Sequence, residues 1–503
     1  MDLSAGVSFG AVSDLTWRIG LSAVDVEGAR ANLAAEVGEQ DFDAIRSQAS
    51  QRWSQTLSKV RLAGGSPEQR SIFYTALYHS QLTPTLFSDL DGRYTGFDKQ
   101  IHQAQGFRYY TDFSLWDTYR TTHPLFVLID PQAQRDMLTS LLAMKEQGGF
   151  LPKWPAGTGY TGCMIGTPAD LVFADSYLKG ITDFNVEAAF AAVVENATTA
   201  QAQVGRAGVE SYLALGYVPS DEHGGSVSRT QEFAVADGAI AEWATALGRE
   251  PEAQAFALRA QSYKNLYDPE TGFFRGRRAD GGWSEPAQNF EELDWDHPDT
   301  TEGTAWQYLW LAPQDVEGLM ELMGGRTAFA ERLEAFFATP EPEDPLAEFL
   351  PKRYYWHGNE PDIHAAYLFN DAGRPDRAQY WLRHIMATRY GVGPDGLSGN
   401  DDCGTLSAWY VFSASGFYPN AGHSRYWIGS PLFERVVFSL EGGGEFEVRA
   451  LGAGPERLHV EGARLDGRSL TEPFFEHGQI AQGALLELDM SVDAQADWSL
   501  PNE

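Results

Sequence analysis

Segments with helical spacing recur through most of this chain and alternate with long loops, which limits its fold more than any other feature. The loops are rich in Gly, Pro, Asp and aromatic residues, and no short-period repeat of the solenoid kind is present. Paired helices joined by alternate long loops predict a mainly α fold, an α/α toroid whose loops at one end build the functional site. Apolar residues follow the helical period at 45–60, 68–82, 132–146, 169–179, 186–202, 230–247, 251–267, 315–322, 329–337, 363–372 and 376–387.

The two ends of the chain have a different character. Residues 15–24 alternate as a strand would, and residues 26–37 have helical spacing. After Gly429, alternating segments at 435–440, 445–451, 457–461 and 485–490 are separated by Gly-rich turns, which is typical of a small antiparallel β appendage. We therefore predict three parts: an N-terminal edge piece and linker at 1–41, a helical domain at 42–430 and the β appendage at 431–503.

Charge and composition narrow the classes of function. With 37 basic and 70 acidic residues, the net charge of -33 repels phosphate backbones, so we expect no nucleic-acid partner. No run of 18 apolar residues is present, so no membrane span is expected. The first residues lack the basic and apolar regions of a signal peptide, which suggests either a cytoplasmic protein or a start downstream of the true N-terminus.

Two cysteines, Cys163 and Cys403, are too few for a disulfide framework or a zinc cluster. Each lies next to a glycine in a candidate site loop. Whether the two meet in the fold is left open by the sequence.

Two adjacent acids, Asp401 and Asp402, lie on a glycine-bounded loop before an apolar segment with helical character at 406–412. An acid in such a place can activate a water, bind a sugar hydroxyl or hold a cation. An Asp at a helix start is also a common N-cap. Because a cap explains only one of the two, the pair indicates a functional site.

Four further loop clusters combine acids, amides and aromatic residues, around 115–124, 159–166, 299–307 and 356–364. Their potential metal ligands are mostly oxygens, which select Ca²⁺ or Mg²⁺ over zinc. Carboxylates on separate loops in an aromatic setting also match the two-carboxylate requirement of glycoside hydrolysis. No phosphate-binding or dinucleotide-binding glycine pattern is present.

The motifs in these loops resemble the signature blocks of glycoside hydrolase family 92. They occur in family order, over roughly residues 15 to 433. They are Trp-Asp-Thr-Tyr-Arg at 116–120, Gly-Cys-Met-Ile-Gly at 162–166, Thr-Glu-Gly-Thr-Ala-Trp-Gln-Tyr at 301–308, His-Gly-Asn-Glu-Pro at 357–361, and Gly-Asn-Asp-Asp-Cys-Gly at 399–404, followed by Ser-Ala-Trp-Tyr at 407–410.

The resemblance implies a Ca²⁺-dependent, inverting exo-α-mannosidase, often bacterial, that acts outside the cytoplasm on α-mannoside glycans, with the α-1,2 linkage the expected one. It also implies an α/α six-barrel preceded by a β-sandwich. This chain departs from that pattern, because only the tail of the sandwich could fit before Phe42. Residues 1–41 are therefore interpreted as a remnant of the sandwich and a linker, and the chain as a truncated product or fragment.

By resemblance, Glu302 is the expected general acid and Asp402 the general base, supported by Asp401. Glu360 competes with Glu302 for the acid role, although its setting suits a Ca²⁺ site better. An inverting site needs the two carboxyl groups about 6.5–9.5 Å apart. The expected calcium ligands are Asn359, Glu360 and Gln307, and the expected sugar contacts are Trp116, Asp117, Arg120, Cys163, Met164, Trp306 and His357.

Two other functions stay open at this point. One is a different α/α-barrel glycosidase, such as an α-glucosidase or a trehalase. The other is a sugar-binding fragment that has lost catalysis together with the sandwich.

Overall fold

The computed structural model describes residues 8, 10–200, 204–295, 297–340 and 351–494. Its α-helices are α1 Val26–Glu36, α2 Phe42–Leu57, α3 Pro67–His79, α4 Leu115–Thr118, α5 Thr122–Ile129, α6 Pro131–Gly148, α7 Pro168–Leu178, α8 Val186–Thr198, α9 Val209–Leu215, α10 Ser226–Ala246, α11 Glu250–Arg259, α12 Ala305–Tyr308, α13 Val316–Leu322, α14 Arg326–Ala338, α15 Leu368–Asp371, α16 Pro375–Thr388 and α17 Thr405–Ser415. Short 3₁₀ helices span Ser262–Leu266, Glu360–Asp362, Ala365–Tyr367, Glu441–Gly443 and His477–Gln479.

Local signals explain where these helices begin and end. In α6, the Asp130 carboxylate accepts a hydrogen bond from the Ala133 amide, and Pro131 occupies the first helical position. The same helix ends at Gly149, whose φ of 97° is open to glycine at little cost. In α3, Ser66 and Gln69 form a reciprocal capping box.

The helices form an inner and an outer ring. Helices α5, α7, α10 and α17 are buried around nearly their whole circumference, and α17 contacts α5, which contacts α7, which contacts α10. Outer helices such as α3, α6, α8, α11 and α16 pack against them with one apolar face. The prediction of a mainly α fold built as a ring of paired helices is confirmed.

Most predicted helices are present with ends displaced by a few residues, and two differ in kind. The segment predicted at 251–267 is helical only through Arg259 and then tightens into the 3₁₀ helix Ser262–Leu266. The segment predicted at 363–372 is a 3₁₀ turn followed by the short helix α15. Helix α8, in the segment predicted at 186–202, ends at Thr198, and residues 201–202 of that segment lie outside the described residues.

The strands are β1 Val60–Ala63, β2 Thr85–Leu86, β3 Arg93–Thr95, β4 Ile101–Gln103, β5 Tyr110–Thr111, β6 Pro155–Ala156, β7 Gly159–Tyr160, β8 Tyr267–Asp268, β9 Phe273–Phe274, β10 Phe417–Pro419, β11 Arg425–Ile428, β12 Arg435–Ser439, β13 Glu445–Arg449, β14 His459–Leu465, β15 Arg468–Ser469, β16 Phe474–Glu476 and β17 Ala484–Ser491. The largest sheet has the order β1-β12-β13-β17-β14-β15, and a smaller one has the order β10-β11-β16.

The C-terminal sheet corrects two details of the prediction. It is mixed rather than antiparallel, because β13 and β17 pair in parallel. Its edge strand β1 comes from the helical part of the chain, where Val60 pairs with Phe438 across the antiparallel β1–β12 ladder. The apolar residues of this sheet and of the helices form one continuous core. The predicted boundaries at 41 and 430 stay predictions.

The strand expected at 15–24 is not present. Leu15, Trp17, Ile19 and Leu21 are all exposed, at 45%, 57%, 66% and 78%. Among the described residues no strand pairs with this segment, and without a hydrogen-bonded neighbour an alternating sequence does not form a ladder. Helix α1 follows, close to its predicted position.

Candidate active site

The predicted site residues lie in the first turns of helices or on the loops just before them. The starts of α4, the 3₁₀ helix Glu360–Asp362 and α17 bring three carboxyl groups together. Hydrogen bonds link the loop before α12 to the start of α10 and to the segment before the 3₁₀ helix. Helix N-termini carry partial positive charge, which favours carboxylates at these positions. Loops from distant parts of the sequence thereby meet in one place.

Three carboxyl groups converge at the centre of these loops. Oxygens of Asp117, Glu360 and Asp402 all lie within 4.8 Å of one another. Asp117 and Glu360 are buried, with 2% and 0% of their surface exposed. Burial raises the pKa of both groups well above the usual range, and mutual repulsion with Asp402 raises it further. Such a cluster is stable only if it takes up protons or a cation.

Glu360 supplies the sharpest indication of a cation. Among the described residues, neither of its carboxylate oxygens has a hydrogen-bond partner, although both are buried. A buried carboxylate without a partner is strongly unfavourable, and oxygen ligands are the ones that hard divalent cations prefer. The donor set of Asp117, Glu360 and Asp402 therefore fits a metal ion.

Glu232, from α10, is a buried residue that the sequence analysis missed. Its Oε1 accepts hydrogen bonds from Trp116 Nε1 and from Arg120 Nη2, both at 2.9 Å. The guanidinium of Arg120 also lies over the Trp116 and Tyr119 rings, at 5.1 and 4.6 Å from their centroids. The available signal was the presence of two acids, Glu232 and Asp237, among mostly apolar residues at 230–240, because such charges are seldom buried without a partner.

This network changes the expectation for the first motif. Trp116 and Arg120 are 0% and 5% exposed, and their donors are directed at Glu232 and at the Trp116 carbonyl. Both side chains are therefore already engaged within the protein, which differs from the predicted direct contact with a sugar. Asp117 itself accepts a short hydrogen bond from Ser114.

Glu302 and Asp402 share an unusual backbone conformation. Their φ angles are 49° and 43°, in the left-handed region that non-glycine residues rarely occupy. Strain of this kind persists where the surroundings hold the residue, and it is common at functional sites. In both cases the strained residue is an acid on one of the site loops.

The environments of these two acids differ from those of Asp117 and Glu360. Glu302 is exposed to solvent, yet partial desolvation raises its pKa. Desolvation raises the pKa of Asp402 to about 6, and the negative charge of Glu302 adds to that effect. Two carboxyl groups in electrostatic contact, each with a raised pKa, can divide the roles of acid and base.

The adjacent acids Asp401 and Asp402 have different functions. Both oxygens of Asp401 bind Ser407, through its amide and its hydroxyl, so Asp401 satisfies donors in the first turn of α17. Asp402 points into the carboxyl cluster instead.

His357 does not offer a free nitrogen to a ligand. Its Nδ1 and Nε2 contact the hydroxyls of Tyr355 and Tyr390 at 2.6 and 2.7 Å, and the ring is 1% exposed. Burial lowers its pKa to about 3, so the ring is neutral. The predicted sugar contact is therefore replaced by a role in holding the loop that carries Glu360.

Gln307 and Trp306 also serve the local structure. The Gln307 amide oxygen accepts from the Thr304 amide in a capping box, and its Nε2 donates to the Lys352 and Tyr354 carbonyls. It thus lies in a helix cap and not among the three carboxyl groups, in contrast to the predicted ligand set. Trp306 donates to the Phe290 carbonyl.

Asn359 lies beside the expected acid. Its Nδ2 donates to the Glu302 main-chain oxygen at 2.7 Å, and a side-chain hydrogen bond to Glu302 counteracts part of the rise in the Glu302 pKa.

The two cysteines are free thiols, and neither is joined to the other. Cys163 is exposed, and Met164 next to it has a φ of 62°. Desolvation raises the pKa of both thiols; the charges of Glu302 and Asp117 add to the rise at Cys163, and those of Asp117 and Asp402 add to it at Cys403. Both loops therefore reach the carboxyl cluster.

Comparison with known proteins assigns the chain to a family. Residues 28–492 match the glycosyl hydrolase family 92 catalytic domain. The chain belongs to glycosyl hydrolase family 92. Members of the family with solved structures superpose closely on it.

A family 92 alpha-mannosidase of Bacteroides thetaiotaomicron, solved in complex with mannoimidazole, is 37% identical with a TM-score of 0.89, over 94% of this chain and 63% of that one. A family 92 inverting mannosidase of the same bacterium is 35% identical with a TM-score of 0.88, over 95% of this chain and 67% of that one. An uncharacterized secreted glycosidase of Arthroderma benhamiae is 26% identical, over 96% of this chain and 61% of its own length. The chain thus spans about three fifths to two thirds of these relatives. None of the described helices is both long and apolar enough to cross a bilayer.

Proposed function

We propose that this chain is an exo-acting α-mannosidase that hydrolyses terminal α-mannosyl residues of glycans with inversion and with Ca²⁺. The observation that carries the proposal is the meeting of an exposed acid, Glu302, with the cluster of Asp117, Glu360 and Asp402 on loops of a family 92 domain. Similarity to an alpha-mannosidase and to an inverting mannosidase supports the substrate and the stereochemistry.

Glu302 is the proposed general acid. Its exposure lets it reach a glycosidic oxygen, and its raised pKa keeps a larger fraction protonated at neutral pH. Glu360, the alternative, is fully buried among like charges, which suits a ligand better than a proton donor.

Asp402 is the proposed general base. With a pKa of about 6 it is mostly ionised at neutral pH and remains basic enough to accept a proton from water. Asp401 keeps Asp402 in place by fixing the start of α17 through Ser407. An inverting enzyme needs no covalent nucleophile, and each of the two acids then has a single role.

Asp117 and Glu360 are the proposed residues that hold Ca²⁺, with Asp402 and Asn359 close by. When bound there, the ion would neutralise the cluster and supply a Lewis acid for the oxygens of the sugar and the water. Burial raises the pKa of Asp117, and the charge of Arg120, which Glu232 binds, counteracts part of that rise. Of the ligands expected from the sequence, Gln307 is left out of this proposal, because its side chain is engaged in a helix cap.

The proposed substrate linkage is α-1,2, and the proposed location is outside the cytoplasm. The first rests on family membership and the second on similarity to a secreted glycosidase.

The test is hydrolysis of the four α-linked mannobioses, with α-glucosides and trehalose as comparison, before and after chelation. We expect release of mannose from the 1,2-linked disaccharide, its loss with EDTA and its return with Ca²⁺. NMR in the first minutes should show β-mannose. Release of α-mannose first, or glucoside hydrolysis in place of mannoside hydrolysis, would refute the mechanism or the substrate class respectively.

A further inference from the structure

Lys153 is a buried cation that the proposed mechanism does not use. It lies on the loop between α6 and β6, and only 7% of its surface is exposed. Among the residues that the structure describes, no hydrogen bond or ion pair reaches its ammonium group. Its ammonium nitrogen is not one of the buried polar atoms without a partner, so the stem is buried while the charged end keeps contact with solvent. A cation held in this way can receive an anion.

A second cation lies within electrostatic reach of Lys153. Arg229, in the first turn of α10, directs Nε to the Gly224 carbonyl at 2.6 Å, and no carboxylate of the described chain pairs with it. Burial, together with the charge of Arg229, lowers the pKa of Lys153 to about 8. Acidic residues outnumber basic ones by 70 to 37 in this chain. Two neighbouring cations without a carboxylate partner among the described residues are therefore unusual.

Hydrogen bonds join the segment that carries Arg229 to the loop that carries Glu302. The Ser228 hydroxyl contacts the Thr301 hydroxyl at 3.2 Å, and the amides of Gly225 and Val227 donate to the Pro298 and Asp299 carbonyls at 2.6 and 2.9 Å. On the other side, the Trp154 carbonyl, next to Lys153, accepts a hydrogen bond from the Thr161 hydroxyl at 2.7 Å, and that hydroxyl accepts one from the Cys163 amide at 3.1 Å. Desolvation raises the pKa of the Cys163 thiol, the charge of Glu302 adds to the rise and the charge of Lys153 counteracts part of it. Lys153 and Arg229 therefore border the same cleft as the proposed acid.

We propose that Lys153 and Arg229 form a binding site for an anionic group, a phosphate or a carboxylate, on the leaving-group side of the substrate. The acid protonates the glycosidic oxygen, so groups beside Glu302 face the part of the substrate that departs. The preferred substrate class is then an α-mannoside whose leaving group is negatively charged. This inference rests on the proposed function, since it concerns the same cleft.

Lys153 and Arg229 would also offset the repulsion between the acidic cleft and an anionic substrate. A cleft with Asp117, Glu302, Glu360 and Asp402 in a chain of net charge -33 repels anions. Two adjacent cations at its wall offset that repulsion locally, and a guanidinium with an ammonium matches the oxygens of a phosphate or carboxylate.

The kinetic test compares three disaccharides with terminal α-mannose: one on mannose, one on mannose 6-phosphate and one on glucuronic acid. The readout is the ratio of kcat/KM for each anionic substrate to that for the neutral one. We expect a ratio of roughly ten or more for the matching anion in the unmodified protein, and its collapse toward one in Lys153→Met. The matched control is Lys145→Met, whose ammonium pairs with Glu195 at 2.9 Å, and it should keep the ratio.

The two anionic substrates distinguish a phosphate from a carboxylate. Cleavage of the neutral disaccharide with no preference for either anion overturns the inference and leaves the proposed function standing.

A binding measurement separates the inference from turnover. Calorimetry with mannose 6-phosphate, glucuronate and mannose should show about tenfold tighter binding of one anionic sugar, lost in Lys153→Met and kept in Lys145→Met. If no mannoside is cleaved, the proposed function fails and this result alone decides the anion site. Equal affinities, or a preference that persists in Lys153→Met, would refute the assignment to Lys153.

Discussion

Both carboxylate oxygens of Asp401 bind Ser407, one through its amide and one through its hydroxyl, each at 2.8 Å. The neighbouring carboxylate of Asp402 instead joins Asp117 and Glu360. Adjacent residues of the same type therefore have separable roles, one in the helix start and one in the proposed chemistry.

Substitutions at these two positions should have opposite signatures. Asp401→Ala removes the cap and should lower the free energy of unfolding by about 1–2 kcal/mol. Asp402→Asn, which tolerates the positive φ, should reduce kcat by about 10²–10⁴-fold with little loss of stability. Urea unfolding and mannobiose hydrolysis measure both quantities. Asp401→Asn should keep most of the stability, and a severe loss of kcat in that variant would contradict the division of roles.

Glu302→Gln should make hydrolysis depend on the leaving group. Removal of a general acid costs about 10²–10⁴-fold when the leaving oxygen needs a proton. The loss should be severe for a disaccharide and mild for a dinitrophenyl mannoside, whose leaving group departs unaided. Glu360→Gln should affect both substrates alike. The reverse pattern would mean that the acid and the ligand have been exchanged.

Ca²⁺ should stabilise the protein through Glu360. In the absence of metal, Glu360→Gln relieves repulsion within the buried cluster and should raise the melting temperature. With Ca²⁺ added, the unmodified protein should gain stability and Glu360→Gln should gain much less. Melting curves with and without Ca²⁺ after chelation measure the difference. An equal gain in both proteins would place the binding of Ca²⁺ elsewhere.

Activity should fall on the acid side of pH 6. Without a cation, desolvation raises the pKa of Asp402 to about 6, and bound Ca²⁺ nearby favours the ionised form and lowers that value. Because a general base must be ionised, kcat/KM should drop about tenfold per pH unit on the acid side of this pKa, at or below pH 6. The measurement is a pH profile at saturating Ca²⁺.

Asp371 provides the control, because it also titrates near pH 6 but bonds to Trp427 Nε1 away from the site. Its pKa is raised above the unfolded value, so the stability that its protonated form contributes is present at low pH and is lost as the pH rises through about 6. Asp371→Asn should reduce the change of stability with pH near pH 6, and it should leave the acid-side fall of kcat/KM unchanged. If the acid-side fall of kcat/KM shifts in this variant, the fall does not arise from Asp402.

Glu232→Gln should damage both stability and catalysis, because it leaves Arg120 buried without its partner. Breaking a buried pair costs about 3–5 kcal/mol. Since Arg120 would no longer be held where its charge counteracts the rise in the Asp117 pKa, we also expect weaker Ca²⁺ binding. Glu445→Gln is the matched control: the Arg61–Glu445 pair is exposed and should contribute less than about 1 kcal/mol. Unaltered Ca²⁺ affinity in Glu232→Gln would confine Glu232 to a purely structural role.

The sequence by itself determined the class of fold and the loops that matter. Helical spacing through 42–417 is a local property of the chain, because it depends only on the order of apolar residues. Paired helices and their approximate ends could therefore be predicted. Motifs such as 357–361 and 399–404 identified the site loops for the same reason, because their unusual chemistry is visible in the order of the residues.

Only the tertiary structure decided which side chains meet and which are already engaged. The partnership of Arg120 with Glu232 spans 112 residues, and the use of both His357 nitrogens by Tyr355 and Tyr390 depends on packing between loops. The segment at 15–24 alternates like a strand yet has no strand beside it, whereas Val60–Ala63 becomes a strand because Phe438 and its neighbours lie alongside. Pairing, burial and the resulting pKa shifts arise from contacts distant in sequence, and local patterns do not contain them.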